Sequence, residues 1–135
     1  MSWKGTWTNQ YGSRLRITDD TDHRIVGSFR TALEDSGFHG QDVPMVGCHQ
    51  GGCISFAGGG KTPAGDALVS FTGLLRNGKI ETLWFVVADA ALKAPHAGSP
   101  ARMEKLNWWR SMSTSADTFQ RAVAADDGTA GSVTL

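Results

Sequence analysis

The stretch from Gly5 to Thr18, GTWTNQYGSRLRIT, decides how this chain is read. It opens on Gly5-x-Trp7 and then alternates. At a period of two, Trp7, Asn9, Tyr11 and Ser13 fall on one face of a strand pair. That face mixes aromatic bulk with an amide and a hydroxyl. An ordinary core face would not carry such groups inward, because each buried polar group needs a partner. The wall of a small-molecule pocket does carry them.

Outward from this hairpin, strand signals continue to the end of the chain. Short β-rich runs bounded by Gly, Asn or Asp predict strands at about 5–10, 13–19, 24–33, 43–49, 53–58, 66–76, 80–88 and 116–123. Asn77-Gly78, set between LVSFTGLL and IETLWFVV, is the clearest two-residue hairpin turn. Eight strands joined by short turns can close on themselves and leave room for one small ligand. The expected fold is therefore all-β: an eight-stranded antiparallel up-and-down barrel, residues 1–123. A short helix is expected in the loop before the last strand, at about 100–110. Ser99 supplies an N-cap, Pro100 a first turn, and Met103, Leu106 and Trp109 recur at helical spacing. Residues 33–42, LEDSGFHGQD, read as a polar lid loop, and residues 124–135 as a disordered tail.

The bulk properties bound the function. At 135 residues the chain is one domain by length. A net charge of zero gives no electrostatic footprint for nucleic acid or an anionic membrane. No apolar run reaches the roughly 18 residues of a membrane span. The opening MSWKG shows no leader. Cys48 and Cys53, with four residues between them, suit either a cross-strand disulfide or two reduced thiols, and with His49 they match no zinc pattern. His23, His39, His49 and His96 are read in turns or loops, and no nucleophile elbow or phosphate loop is present. Neither catalysis nor a cofactor or metal is expected.

Collected from the predicted strands, the inward residues form one lining. Trp7, Asn9, Tyr11 and Ser13 come from the first hairpin, and Phe29, Thr31 and Leu33 from the third strand. Val69, Phe71, Trp84 and Val86 come from the sixth and seventh, and Asp117 from the last. Asn9 and Ser13 can donate to a carbonyl oxygen, while Thr31 and Asp117 can accept from ring N–H groups. A cyclic urea presents that combination. Each residue also has a plain structural role open to it. Trp7 suits barrel-floor packing, Asn9 a turn cap, Asp117 an Asx turn, and Phe71 and Trp84 the core.

Over residues 5–122 the chain resembles the avidin/streptavidin family. The matching segments are GTWTNQYGS, GSFRTAL, SFTGLL, ETLWFVV and WRSMSTSADTFQR, with Trp109 eight residues before Asp117-Thr118-Phe119. The resemblance implies biotin, or a biotin-like cyclic urea, as bound ligand. Asn9 and Ser13 then face the ureido oxygen, Thr31 and Asp117 the ureido N–H groups, and Phe71 and Trp84 the walls. It also implies a homo-oligomer, dimer or tetramer, in which Trp109 reaches a neighbouring subunit's pocket. Secretion or a periplasmic location follows from the same resemblance; the missing leader leaves a cytoplasmic location open. Departures from the family pattern predict binding weaker than streptavidin's. Phe29 replaces a Tyr, and the lost donor is worth about 1–3 kcal/mol, one to two decades of affinity. Gly58 falls near a position where the family places a wall Trp, Val69 replaces a Thr and Ala67 a Ser, and Glu34 and Asp35 put charge in the lid. The segment between Trp84 and Trp109 is longer than the family's by about a dozen residues, long for a connection in a compact domain. The alternatives are a calycin-like carrier of another hydrophobic ligand, which Gly5-x-Trp7 and Arg121 would also suit, or a relative that has lost biotin binding.

Overall fold

A computed structural model describes residues 2–34, 36–93, 102–107 and 111–122. Eight strands close into one antiparallel barrel. They are β1 (Gly5–Thr8), β2 (Arg14–Asp19), β3 (Arg24–Arg30), β4 (Val43–Gln50), β5 (Cys53–Thr62), β6 (Gly65–Arg76), β7 (Lys79–Ala88) and β10 (Met112–Arg121). Each strand pairs with its neighbour in sequence, and β10 closes the circle between β7 and β1. Closure leaves no unpaired edge, so every strand finds its hydrogen bonds within the sheet. Asn77 and Gly78, at φ 53° and 77°, make the primed two-residue turn between β6 and β7 whose twist suits a hairpin.

Alternation sends one face of every strand inward. Leu15 and Ile17, Ile25 and Phe29, Val43 and Met45, Ile54 and Phe56, and Ile80 and Phe119 are buried there. Four phenylalanines form a layer across the barrel. Phe71 lies 5.2 Å from Phe29, 5.0 Å from Phe56 and 5.7 Å from Phe119, centroid to centroid. Below this layer the barrel is plugged. The Trp7 indole donates to the Trp3 carbonyl at 2.9 Å, and the Arg121 guanidinium lies 4.2 Å over the Trp7 ring. Arg121 also donates to the carbonyls of Ser2 and Lys4, which ties the last strand to the first residues of the chain. Trp7 is thus floor packing, the structural role the sequence had left open. Above the layer the barrel is open.

In four places the structure departs from the sequence reading or decides what it left open. Among the described residues the expected helix is not formed: β9 (Arg102–Lys105) pairs antiparallel with β8 (Ala90–Lys93) in a two-stranded ribbon. The ribbon follows β7 in the chain and is rooted by the Ala88 N–H to the Ser111 carbonyl at 2.9 Å and the Leu106 N–H to the Asp89 carbonyl at 3.1 Å. A ladder extended from an existing hairpin avoids the nucleation cost of an isolated short helix. Second, β5 runs past Gly58 to Thr62, and β10 begins at Met112 rather than 116. A Cβ on Gly58 would lie 2.1 Å from the Pro44 carbonyl oxygen and 2.5 Å from the Met45 sulfur, so glycine there is clearance for β4, not a strand end. Third, of the two states the sequence left open for Cys48 and Cys53 the structure has the unpaired one: both are free exposed thiols, and the ladder sets Cys48 opposite Ser55 and Cys53 opposite Gln50. Fourth, His49 lies within β4, and its Nε2 donates to the Asp20 carbonyl at 2.8 Å. His96, Trp109 and residues 124–135, with the tail expected there, fall outside the described residues.

Candidate functional site

The open end of the barrel holds a cavity of about 420 Å³. Of the predicted site residues, Asn9, Tyr11, Ser13, Phe29, Thr31, Leu33, Val69, Phe71, Trp84, Val86 and Asp117 all line it. Trp109 lies outside the described residues. Alternation along β3, β6, β7 and β10 turns Phe29, Val69, Phe71, Trp84, Val86 and Asp117 inward. Asn9, Tyr11 and Ser13 come from the turn between β1, which ends at Thr8 rather than 10, and β2, and Thr31 and Leu33 from the segment after β3, which ends at Arg30 rather than 33. The phenylalanine layer forms the bottom. Tyr11, 54% exposed, and Leu33, 38% exposed, stand at the rim.

The polar groups at the head of the cavity are held by one another. Asn9 is central. Its Oδ1 accepts from the Tyr11 and Ser13 backbone N–H groups, each at 3.0 Å, which shapes the β1–β2 turn. Its Nδ2 donates to Asp117 Oδ2 at 3.0 Å. The amide oxygen therefore serves as the turn cap, and one amide hydrogen stays free for a guest. The Ser13 hydroxyl oxygen accepts from the Ala32 N–H at 2.8 Å, which leaves its hydrogen to donate. Thr31 Oγ1 accepts from the Leu33 N–H at 3.1 Å and keeps a second lone pair. Among the described residues no buried side-chain polar atom lacks a hydrogen-bond partner. Such groups are preorganised, and a guest meets them without rearrangement.

Asp117 is buried on β10 opposite Thr82, whose hydroxyl donates to the Asp117 carbonyl at 2.8 Å. Burial pushes its carboxyl above the ordinary range, against the hydrogen bonds from Asn9, the Trp84 indole and Gln10, which favour the ionised form. Gln10 clamps it from outside: Nε2 donates to Asp117 Oδ1 at 3.2 Å, and Oε1 accepts from the Thr118 N–H at 3.1 Å. Sequence reasoning did not find Gln10, because it points away from the alternating face.

Other lining residues were also missed. Ser113 and Ser115 continue the inward period of Asp117 down β10, and Thr62 ends β5 at the rim. All three lay beyond the strand ends read from the sequence. Ser36, Gly37 and Phe38 enter from the loop between β3 and β4. This segment is a chain of tight turns: Ser36 N–H to the Leu33 carbonyl, His39 N–H to Ser36 and Gln41 N–H to Phe38, at 3.1, 3.1 and 3.0 Å. Phe38 is 6% exposed, and a Cβ on Gly60 would lie 3.8 Å from its ring. A lone aromatic in an otherwise polar loop was the signal available in the sequence.

A second hollow, of about 490 Å³, lies at the outer rim against Leu68, Val87, Leu106 and Met112. It has no converging set of hydrogen-bonded groups, so the barrel cavity is the candidate site.

Comparison with known proteins agrees with this geometry. The structure is similar to the bradavidin2–biotin complex, with a TM-score of 0.64 at 15% identity, covering 91% of this chain and 100% of that one. It is similar to the rhizavidin–biotin complex, with a TM-score of 0.65 at 22% identity over 92% and 98% of the two chains. Apo shwanavidin gives a TM-score of 0.68 at 20% identity over 92% and 100%. At these identities the likenesses show the shared fold. No curated protein sequence matches the chain. The Avidin family model matches residues 1–122, an extent that takes in the whole barrel, and the chain belongs to the avidin family.

Proposed function

We propose that the protein is a non-catalytic binder of biotin, or of a biotin-like cyclic urea, in the mouth of the barrel, with weaker affinity than streptavidin. The observation that carries this reading is the convergence of Asn9, Ser13, Thr31 and Asp117 at one end of an apolar cavity. The free hydrogens of Ser13 and Asn9 would donate to the ureido oxygen. Thr31 Oγ1 and the Asp117 carboxylate would accept from the two ureido N–H groups. Phe71, Trp84, Val69, Val86 and Phe38 would enclose the apolar rings. Phe29 offers no donor to the ureido oxygen, and this is the reason for the weaker affinity. The bradavidin2 and rhizavidin structures named above are complexes with biotin, which supports the same ligand here.

The active form would be a homo-oligomer, and by family resemblance Trp109 would reach from one subunit into the next. The outer face of β4 to β7 and β10 supports self-association. Three of its rows, Val46–Ala57–Ser70–Phe85–Thr114, Cys48–Ser55–Thr72–Leu83–Ala116 and Gly59–Leu68–Val87–Met112, carry no charge, and Glu81 stands at their border in the row Cys53–Leu74–Glu81–Thr118. Leu83 and Phe85 are 57% and 46% exposed there. The outer face of β2 and β3, by contrast, carries Arg14, Arg16 and Arg30. An uncharged apolar patch of this extent marks an association surface. Secretion or a periplasmic location belongs to the same proposal.

Titration calorimetry with biotin and desthiobiotin tests the ligand. Saturable binding with one site per chain is expected. No heat, and no thermal shift at millimolar biotin, would refute it, since a ligand at a hundredfold excess over its dissociation constant adds about 2.7 kcal/mol of stability.

A further inference from the structure

The head of the cavity reads the ring of a guest, and the exit decides what its tail can be. Ala67 and Ala88, two of the smallest side chains in the lining, face each other across β6 and β7 at the rim. Hydroxyls of Ser36, Thr62 and Ser113 line the same end. No lining residue is Lys, Arg or His, and the one acid, Asp117, sits at the head. Just beyond the two alanines come Asp66 and Asp89, each already engaged with an exposed lysine, Lys61 at 2.9 Å and Lys105 at 3.2 Å. Glu34 lies exposed on the lid between the lining residues Leu33 and Ser36, with no ion-pair partner among the described residues, and Asp35 follows it in the sequence.

Resting on the biotin reading, we propose that the site selects its guest in a form whose tail carries no negative charge: an amide of the carboxylate, as in a biotinyl group joined to a lysine side chain, in preference to the free acid. A carboxylate at this exit gives up part of its water and finds no cation in return. It also meets the repulsion of Glu34, which salt screens. An amide is neutral, and it can donate to and accept from the Ser36 and Ser113 hydroxyls, the Thr62 hydroxyl already donating to the Gly65 carbonyl at 2.9 Å. The small Ala67–Ala88 pair puts no bulk in the way of an attached chain.

The test is calorimetry on the full chain with biotin, biotin amide and ε-biotinyl-lysine, at low and high ionic strength, with Glu34→Gln alongside. The amide and the lysine conjugate are expected to bind about three- to tenfold tighter than the acid at low salt, the scale of one partly screened charge interaction. The gap should narrow at high salt and in Glu34→Gln. A free acid that binds as tightly as the amide at low salt overturns the selectivity and leaves the biotin reading standing. A gap that neither salt nor Glu34→Gln changes also overturns it. Absence of binding by all three compounds overturns the biotin reading, and this inference with it.

Discussion

Replacing Asp117 with Asn keeps the shape of the side chain and removes its charge, and the structure sets the size of the effect. Two donors, Asn9 Nδ2 and Gln10 Nε2, bond the two carboxylate oxygens before any guest arrives. A ureido N–H would be a third. An amide has one accepting oxygen, so at least one donor would face its NH₂ group. A hydrogen bond to a charged group contributes about 1.5–3 kcal/mol and a neutral one about 0.5–1.5, while an orphaned buried donor costs about 1–3. The sum predicts a loss of about 2–4 kcal/mol in biotin affinity, one and a half to three decades. Stability without ligand should change far less, because the variant also escapes the burial penalty that raises the Asp117 pKa. Calorimetry and ligand-free melting, measured side by side, separate the two effects. A dissociation constant within threefold of the parent's would refute the acceptor role. The pH dependence has a defined sign. A guest N–H needs the carboxylate, so affinity should fall as pH drops through the raised folded-state pKa, and Asp117→Asn should flatten that profile. The same raised pKa makes this group's contribution to stability largest below its unfolded value near 3.8 and smaller as pH rises through the folded one.

Further outcomes follow from other positions. Phe29→Tyr should tighten biotin binding by one to two decades, the value of one added buried hydrogen bond, read by competition with desthiobiotin. Phe38→Ala should weaken binding by about tenfold while costing stability, since it strips a buried aromatic from the cavity lining; dissociation rates followed by tryptophan fluorescence would show it. Gly58→Ala should lower the melting temperature, with a cost of about 1–3 kcal/mol, because its Cβ would lie 2.1 Å from the Pro44 carbonyl oxygen. Phe85→Arg should move the proposed homo-oligomer toward monomer in light scattering and leave the barrel's circular dichroism intact.

The strand pattern was legible because it is local. Period-two alternation, Asn77-Gly78 and the Gly-bounded runs each state their preference within a few residues. They placed β2, β4, β6 and β7 within about two residues of their observed ends. The head of the site was legible for the same reason: Asn9, Ser13, Thr31 and Asp117 are odd polar positions on otherwise apolar inward faces.

Where sequence reading failed, the deciding contact was far away in the chain. Met103 and Leu106 have helical spacing, yet the partner of β9 is β8 at the root of the ribbon. The Gly58–Gly60 run looks like a strand end, and only the closeness of Pro44 and Met45 shows why glycine is needed inside β5. Gln10 gains its role from Asp117, 107 residues away.

The sequence by itself determined that this chain forms strands, where most of them turn, and which polar groups face inward, since these depend on backbone preference and side-chain alternation over short spans. Tertiary structure decided that the amide of Asn9 is split between a turn and Asp117, that Phe38 is buried in the cavity lining, and that both thiols face out unpaired. Those outcomes depend on cross-strand register and on how a loop seats in a particular space, and both exist only once the barrel has closed.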